Sequence, residues 1–134
     1  MISFKSITHF RQRLSELLEV KRGVYSGITA EISNEFQNKT IDQIRGNYDM
    51  VVMESDAIVI KLRLPDKRVR LSKKDGYRLI YLVSKITEFV AFLDVYPKRG
   101  PRQQLDIEDS ELKRLLLCFA EEKENDLLVD YPIG

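Results

Sequence analysis

Cysteine and histidine are nearly absent from this 134-residue chain, which holds one of each, Cys118 and His9. A single cysteine excludes an intramolecular disulfide and any cysteine-based zinc site, and it fits a reducing compartment. Flanked by Leu115, Leu116, Leu117 and Phe119, it reads as a small core residue rather than a nucleophile. A serine, cysteine or metal centre that needs histidine would have to recruit His9 alone, so neither a metal nor a cofactor is expected. Also missing are internal repeats, low-complexity tracts and linkers rich in Gly, Pro or Ser. The N-terminus lacks the apolar core of a signal peptide, and no run approaches the length of a membrane span. The expectation is a single cytoplasmic domain with no membrane partner. With 43% hydrophobic and 32% charged residues, the chain can bury a core and is not a disordered polar tract.

Net charge is also low, at +1, which on its face argues against a nucleic-acid partner. The charges, however, are segregated. Between Lys61 and Arg78 lie Lys61, Arg63, Lys67, Arg68, Arg70, Lys73, Lys74 and Arg78 against only Asp66 and Asp75, so that segment is +6. From Leu105 onward nine acids face three bases, and the tail is −6. Near-neutrality therefore hides a dipole along the sequence. The tail is expected to confer solubility and to lie away from Lys61 and Arg99, since its acids would weaken binding of an anionic partner there.

Periodicity places the elements. Ile2 to Ile7 alternates and reads as a short strand. Thr8 can cap a helix through Val20 with Phe10, Leu14 and Leu17 on one stripe, and Gly23 breaks it. Ser26 opens a second helix whose Ile28, Ile32 and Phe36 share a face, and Thr40 and Gln43 have capping-box spacing for a short third turn ending near Gly46. From Met50 the period becomes two. Val51 to Met53 and Ala57 to Leu64 read as strand, interrupted by a turn or bulge at Glu54-Ser55-Asp56. In the longer piece Ile58, Ile60, Leu62 and Leu64 fall on one face, and Val59, Lys61 and Arg63 on the other. Asp75-Gly76 turns the chain into a strand from Tyr77 to Ser84, and Phe89 to Tyr96 is the next. Both carry apolar residues on both faces, as strands covered on two sides do. Asp109 or Ser110 caps a last helix with Leu112, Leu115, Leu116 and Phe119 as its stripe, and Leu127 to Ile133 either docks or frays. Consecutive strands joined by short turns favour antiparallel pairing, which gives an α+β domain with helices on one face of a small sheet.

Strand-borne cations are the candidate site. Lys61 and Arg63 share a face, Arg78 lies on the neighbouring strand, and Lys98-Arg99 follow the last one. Pairing in sequence order would let these five converge near one edge, with Tyr77, Tyr81 and Tyr96 nearby. Guanidinium groups hold phosphate and aromatic rings stack on unpaired bases, so the combination suits a single RNA strand. Solvated charge with core tyrosines is the other reading of the same pattern. Tyr81, inside Leu79-Ile80-Tyr81-Leu82-Val83, belongs to the core under either reading.

The stretch Ile60-Lys61-Leu62-Arg63 followed by Asp75-Gly76-Tyr77-Arg78-Leu79-Ile80-Tyr81 resembles the RelE family of bacterial toxins, as does the hydrophobic strand ending in Pro97-Lys98-Arg99. The order of elements is also that family's, and the likeness runs from about Ile2 to Lys123, with its specific part at Ile58–Arg99. It implies a toxin of a type II toxin-antitoxin system that cleaves mRNA in the ribosomal A site and is silenced in a hetero-oligomer with its cognate antitoxin. Cleavage would proceed by attack of the RNA 2′-hydroxyl on the adjacent phosphate, leaving a cyclic phosphate and a 5′-hydroxyl. By matching positions, Lys61 would act as base or its surrogate, Arg78 as phosphate stabiliser, and Arg99 as acid or leaving-group stabiliser. Arg63 and Lys98 would support them, and stacking would fall to Tyr77 or Tyr96 or be weaker; beyond the matched positions, Lys67, Arg68, Arg70, Lys73 and Lys74 of the long basic turn either reach ribosomal RNA or form a plain solvated loop. Three departures stand out. Val59 replaces a second lysine, no tyrosine occurs between Gly100 and Glu111, and the turn from Pro65 to Asp75 is long. The same fold is shared by ParE-like toxins that bind gyrase without catalysis, and an inactive binding module is a third reading.

Overall fold

Alternation at the N-terminus yields β1 (Ser3–Ser6), and the two apolar stripes that follow yield α1 (Thr8–Leu18) and α2 (Ile28–Phe36). The computed structural model describes residues 1–46, 50–54 and 57–134. After a short α3 (Ile41–Arg45) come β2 (Met50–Glu54), β3 (Ala57–Leu64), β4 (Tyr77–Ser84) and β5 (Phe89–Pro97), then α4 (Asp109–Glu124) and β6 (Val129–Asp130). The fold class is α+β. Ser55 and Asp56 of the expected turn lie outside the described residues.

Local chemistry accounts for most boundaries. α3 is held by the reciprocal capping box of Thr40 and Gln43, as its spacing implies. α1 departs from expectation: Ile7 takes the cap position, and Thr8 donates both its backbone N–H and its hydroxyl to Glu122 Oε1 at 2.9 Å. A carboxylate from α4 thus does the capping that a local side chain was expected to do. Between α1 and α2 the chain reverses through Arg22 and Gly23, both at positive φ, and the Ser26 N–H donates to the Gly23 carbonyl. Ser26 therefore belongs to the turn, and α2 begins at Ile28.

The six described strands run in the order β2-β3-β4-β5-β1-β6. β2 to β5 are antiparallel in sequence, but β1 pairs with β5 in parallel, Ser3 opposite Phe89 and Ser6 opposite Phe92. The sheet is mixed rather than wholly antiparallel because the chain passes through the helical layer and three hairpin-linked strands before returning beside β1. β6 docks on the other edge of β1, which settles the fate of the C-terminal segment.

One face of the sheet carries the main core. Phe92 on β5 stacks on Phe10 of α1 and meets Phe36 of α2 edge-on, and Phe36 also meets Tyr81 of β4. The Tyr81 hydroxyl donates to the Ile44 carbonyl of α3 at 2.8 Å. α4 packs on the opposite face, where its Phe119 lies 6.0 Å from Phe89. The two N-terminal helices share one face, as expected, with α4 on the other, and this two-sided cover explains why β4 and β5 are buried almost throughout. Among the described residues no helix is long and apolar enough to cross a membrane.

Candidate functional site

β3 and β4 pair without a slip, so Lys61 lies opposite Ile80 and Arg63 opposite Arg78. Between β4 and β5 the register shifts: Tyr81 faces Phe92, but Ile80 faces Asp94 and Arg78 faces Tyr96. Leu93 is the extra residue of a β-bulge. The bulge moves Asp94, Tyr96 and Lys98 to the face that carries Lys61, Arg63 and Arg78, and sends Arg99 toward the helical layer. Four of the five strand-borne cations therefore share a face, and the convergence expected of Arg99 does not occur.

Arg99 is engaged elsewhere. Its Nη2 donates to Asp66 Oδ2 at 2.8 Å and to the Val24 carbonyl at 3.0 Å, and its guanidinium lies 5.8 Å from the centre of the Tyr25 ring. Asp66 is fully buried, and its Oδ2 also accepts from the Tyr77 hydroxyl at 2.7 Å. Burial first, then the hydrogen bond and charge of Asp66, push the Tyr77 hydroxyl well above the ordinary tyrosine range. The Tyr77 ring is 1% exposed and that of Tyr96 is fully buried. Neither is a platform for an incoming base, which corrects the stacking role expected of them. Tyrosine serves here as an apolar body whose hydroxyl finds an acidic partner.

Arg78 is 8% exposed. Its Nη1 donates to the carbonyls of Lys73 and Tyr77, and its Nη2 to that of Lys74, at 3.0–3.2 Å. These bonds clamp the backbone of the basic loop and leave the Lys73 and Lys74 side chains exposed. In this geometry Arg78 positions the loop.

The centre of the shared face is an ion pair. Lys61 Nζ lies 3.0 Å from Asp106 Oδ1 and 3.3 Å from Oδ2. Oδ1 also accepts from the Tyr96 hydroxyl at 3.2 Å and from the Ile107 N–H at 2.8 Å. Asp106 belongs to the acidic tail, which was expected to stay clear of Lys61, so that expectation is overturned. The connection from Gly100 to Glu108 folds back as a strap. Lys98 Nζ donates to the Leu105 carbonyl, the Gln104 N–H donates to the Pro97 carbonyl at 3.0 Å, and Arg13 donates to the Gln104 side chain.

A second polar group continues along β5. Asp94, 2% exposed, accepts through Oδ1 from the Val95 N–H at 2.8 Å and lies 3.2 Å from His9 Nε2 and 3.5 Å from Arg13 Nε. His9 Nδ1 is 3.3 Å from Arg114 Nη2 on α4. Sequence reasoning assigned nothing to His9 or Asp94, although an acid inside the apolar run Phe92–Tyr96 signals a buried, partnered carboxylate. Asp106 carried no comparable signal. Among the described residues no group of three or more His, Cys, Asp or Glu side chains could hold a metal ion.

Partial burial acts to raise the Asp106 carboxyl, but the hydrogen bonds from Lys61, Ile107 and Tyr96 and the Lys61 charge outweigh it, holding the group below the ordinary carboxylate range. A depressed folded-state value means that the contact contributes above the unfolded carboxylate range, near pH 4, and is lost as pH falls through the lowered value. In a Lys61→Met variant Asp106 is expected to titrate at higher pH than in the wild type, followed through its carboxyl carbon by NMR. An unmoved titration would mean that Lys61 does not hold it.

Comparison of the chain with family models, curated proteins and solved structures finds no match.

Proposed function

We propose that the chain is a ribosome-dependent mRNA endonuclease of RelE type, the toxin of a cytoplasmic toxin-antitoxin pair. The observation that carries this reading is the single cationic face on which β3 presents Lys61 and Arg63 beside Arg78 of β4 and Lys98 after β5. It is flanked by the exposed Lys73 and Lys74. The element order, a strand, a helical pair, consecutive antiparallel strands and a last helix, agrees with the resemblance in Ile60–Arg63 and Gly76–Tyr81. RNA cleavage from the 2′-hydroxyl needs fixed positive charge at the non-bridging phosphate oxygens, a base at the 2′-oxygen and a proton for the leaving 5′-oxygen. The Lys61 ammonium, paired with a carboxylate here, suits the first of these tasks. Arg63 supports it, Lys73 and Lys74 contact the RNA backbone, and Arg78 holds the loop in place. An antitoxin segment rich in acids would cover the same face in a hetero-oligomer.

A second reading, a docking module without catalysis such as a ParE-like gyrase inhibitor, draws on the diversion of Arg99 to Asp66. Cell-free translation separates the two. Transcripts cut only when ribosomes are present support the nuclease, and uncut transcripts with blocked gyrase supercoiling support the other. Within the first reading, Lys61→Ala is expected to lower the cleavage rate about 10²-fold, the scale of losing one charge-stabilising donor, with a melting temperature lowered by no more than a few degrees. Cleavage that survives this substitution at full rate would remove Lys61 from the site.

A further inference from the structure

Asp106 is held in an unusual way for an exposed carboxylate. Its side chain is 60% exposed, yet both oxygens face the Lys61 ammonium and one also takes the Tyr96 hydroxyl. The donors and the acceptor differ in how they are anchored. Lys61 rises from β3 between the buried Ile60 and Leu62, and Tyr96 is a fully buried residue of β5, so both donors are fixed by the sheet. The acceptor sits on a connecting strap. Burial, reinforced by the Asp106 charge and hydrogen bond, pushes the Tyr96 hydroxyl far above its ordinary range, which keeps it a neutral donor at any physiological pH.

We propose that Lys61 Nζ and the Tyr96 hydroxyl form a subsite for a phosphate oxyanion, and that Asp106 fills it as a tethered substitute. The proposal rests on the RNA reading for the source of that phosphate, a backbone diester, but not for the existence of the subsite. A carboxylate and a phosphate present the same feature to these donors, two oxygens sharing negative charge. Displacing Asp106 requires only that its side chain turn outward. The strap keeps the bonds of Lys98 to the Leu105 carbonyl, Gln104 to the Pro97 carbonyl and Arg13 to the Gln104 side chain, none of which uses the Asp106 carboxylate. Turning outward also releases the Ile107 N–H from Asp106 Oδ1, but that bond lies within the strap and is not a donor that the ligand must recruit. As a tethered competitor, Asp106 weakens ligand binding a few-fold without abolishing it, because an exposed ion pair is weak. Lys61 is thereby kept occupied until a more highly charged strand, carried in by the surrounding cations, takes the place of the carboxylate.

The test compares the wild type with Asp106→Asn and, as a control of equal charge change, Asp109→Asn at the start of α4. Two probes are used: inorganic phosphate, followed by NMR at Lys61 and Tyr96, and a short labelled oligouridylate, followed by fluorescence anisotropy. Asp106→Asn is expected to bind both about three- to fivefold more tightly than the wild type. The Asp109 variant is expected to change affinity by less than about twofold, as suits a screened surface charge. Adding Tyr96→Phe to Asp106→Asn is expected to remove a large part of the phosphate gain, with folding checked by circular dichroism. Unchanged or weaker phosphate binding by Asp106→Asn would overturn the subsite, and so would an equal gain in the Asp109 variant. A gain for phosphate with none for the oligonucleotide would leave the subsite standing and overturn the RNA reading on which its ligand rests.

Discussion

Replacing Phe92 by alanine is expected to lower the free energy of unfolding by about 3–5 kcal/mol, the range for deleting a fully buried aromatic ring. Phe92 is completely buried at the centre of β5. Its ring lies 5.4 Å from Phe10 on α1, 5.3 Å from Phe36 on α2, 6.1 Å from Phe4 on β1 and 5.1 Å from Tyr131 in the C-terminal segment. The cavity left by truncation would therefore open between four separate pieces of chain, which cannot all move inward together without breaking the β1–β5 pairing. A domain of this size is stable by about 5–15 kcal/mol, so the loss would be a large part of the total. Urea denaturation measures it. Phe92→Leu, which refills most of the volume, is expected to cost roughly a third as much and to remain folded if the alanine variant does not. A loss under about 1 kcal/mol for alanine would mean that Phe92 is not the junction of the core.

Phe92 also marks where the sequence stops being readable. The ends of β3 and β4 were legible to the residue, because period-two runs there are bounded by Pro65 and by Asp75-Gly76. So was the capping box of α3. Strict alternation along β5, however, would put Phe92, Asp94 and Tyr96 on one face. The bulge at Leu93 breaks that alternation, and a bulge has no period of its own to betray it. The placements of Arg99, Tyr96 and Asp94 follow from it. Arg99 ends on the Tyr25 and Asp66 side, Tyr96 becomes a buried donor, and Asp94 joins the face of Lys61.

Long-range pairing accounts for the rest. Asp106 is one of nine acids in a −6 tail and looks like any other until the strap folds back through Gln104 and Lys98. The Thr8 cap fails for the same reason, since Glu122 reaches it from 114 residues away. Opposed charges that cancel along the sequence thus meet in the fold, and they do so at Lys61, the residue on which the proposed chemistry depends. The near-zero net charge neither predicted nor excluded this, because a sum carries no positions.

Gly76→Ala is expected to destabilise the domain by about 3 kcal/mol, the upper end for forcing an extra methyl into a packed site. A Cβ at position 76 would overlap the Leu64 carbonyl oxygen and stand 2.8 Å from the Pro65 carbonyl carbon and 2.9 Å from its Cα. All three are backbone atoms at the end of β3, so no side-chain rotation relieves the contact and the β3–β4 hairpin itself must part. Three functional features hang on that spot. Leu64 pairs with Tyr77, the Gly76 carbonyl accepts from the Lys98 N–H at 2.9 Å, and Arg78 clamps Lys73 and Lys74 two residues further on. Separation of the strands would displace Lys98 and the basic loop together, so RNA affinity is expected to fall with stability and the salt dependence of binding to flatten as phosphate contacts are lost. Hydrogen exchange locates the damage: protection should drop at Leu64, Tyr77 and Lys98 more than at Phe92, whose neighbours lie toward the other end of β5. A variant as stable as the wild type to within about 0.5 kcal/mol would mean that the two strands do not approach each other this closely at Gly76, and with that the clamp that presents Lys73 and Lys74 would lose its base.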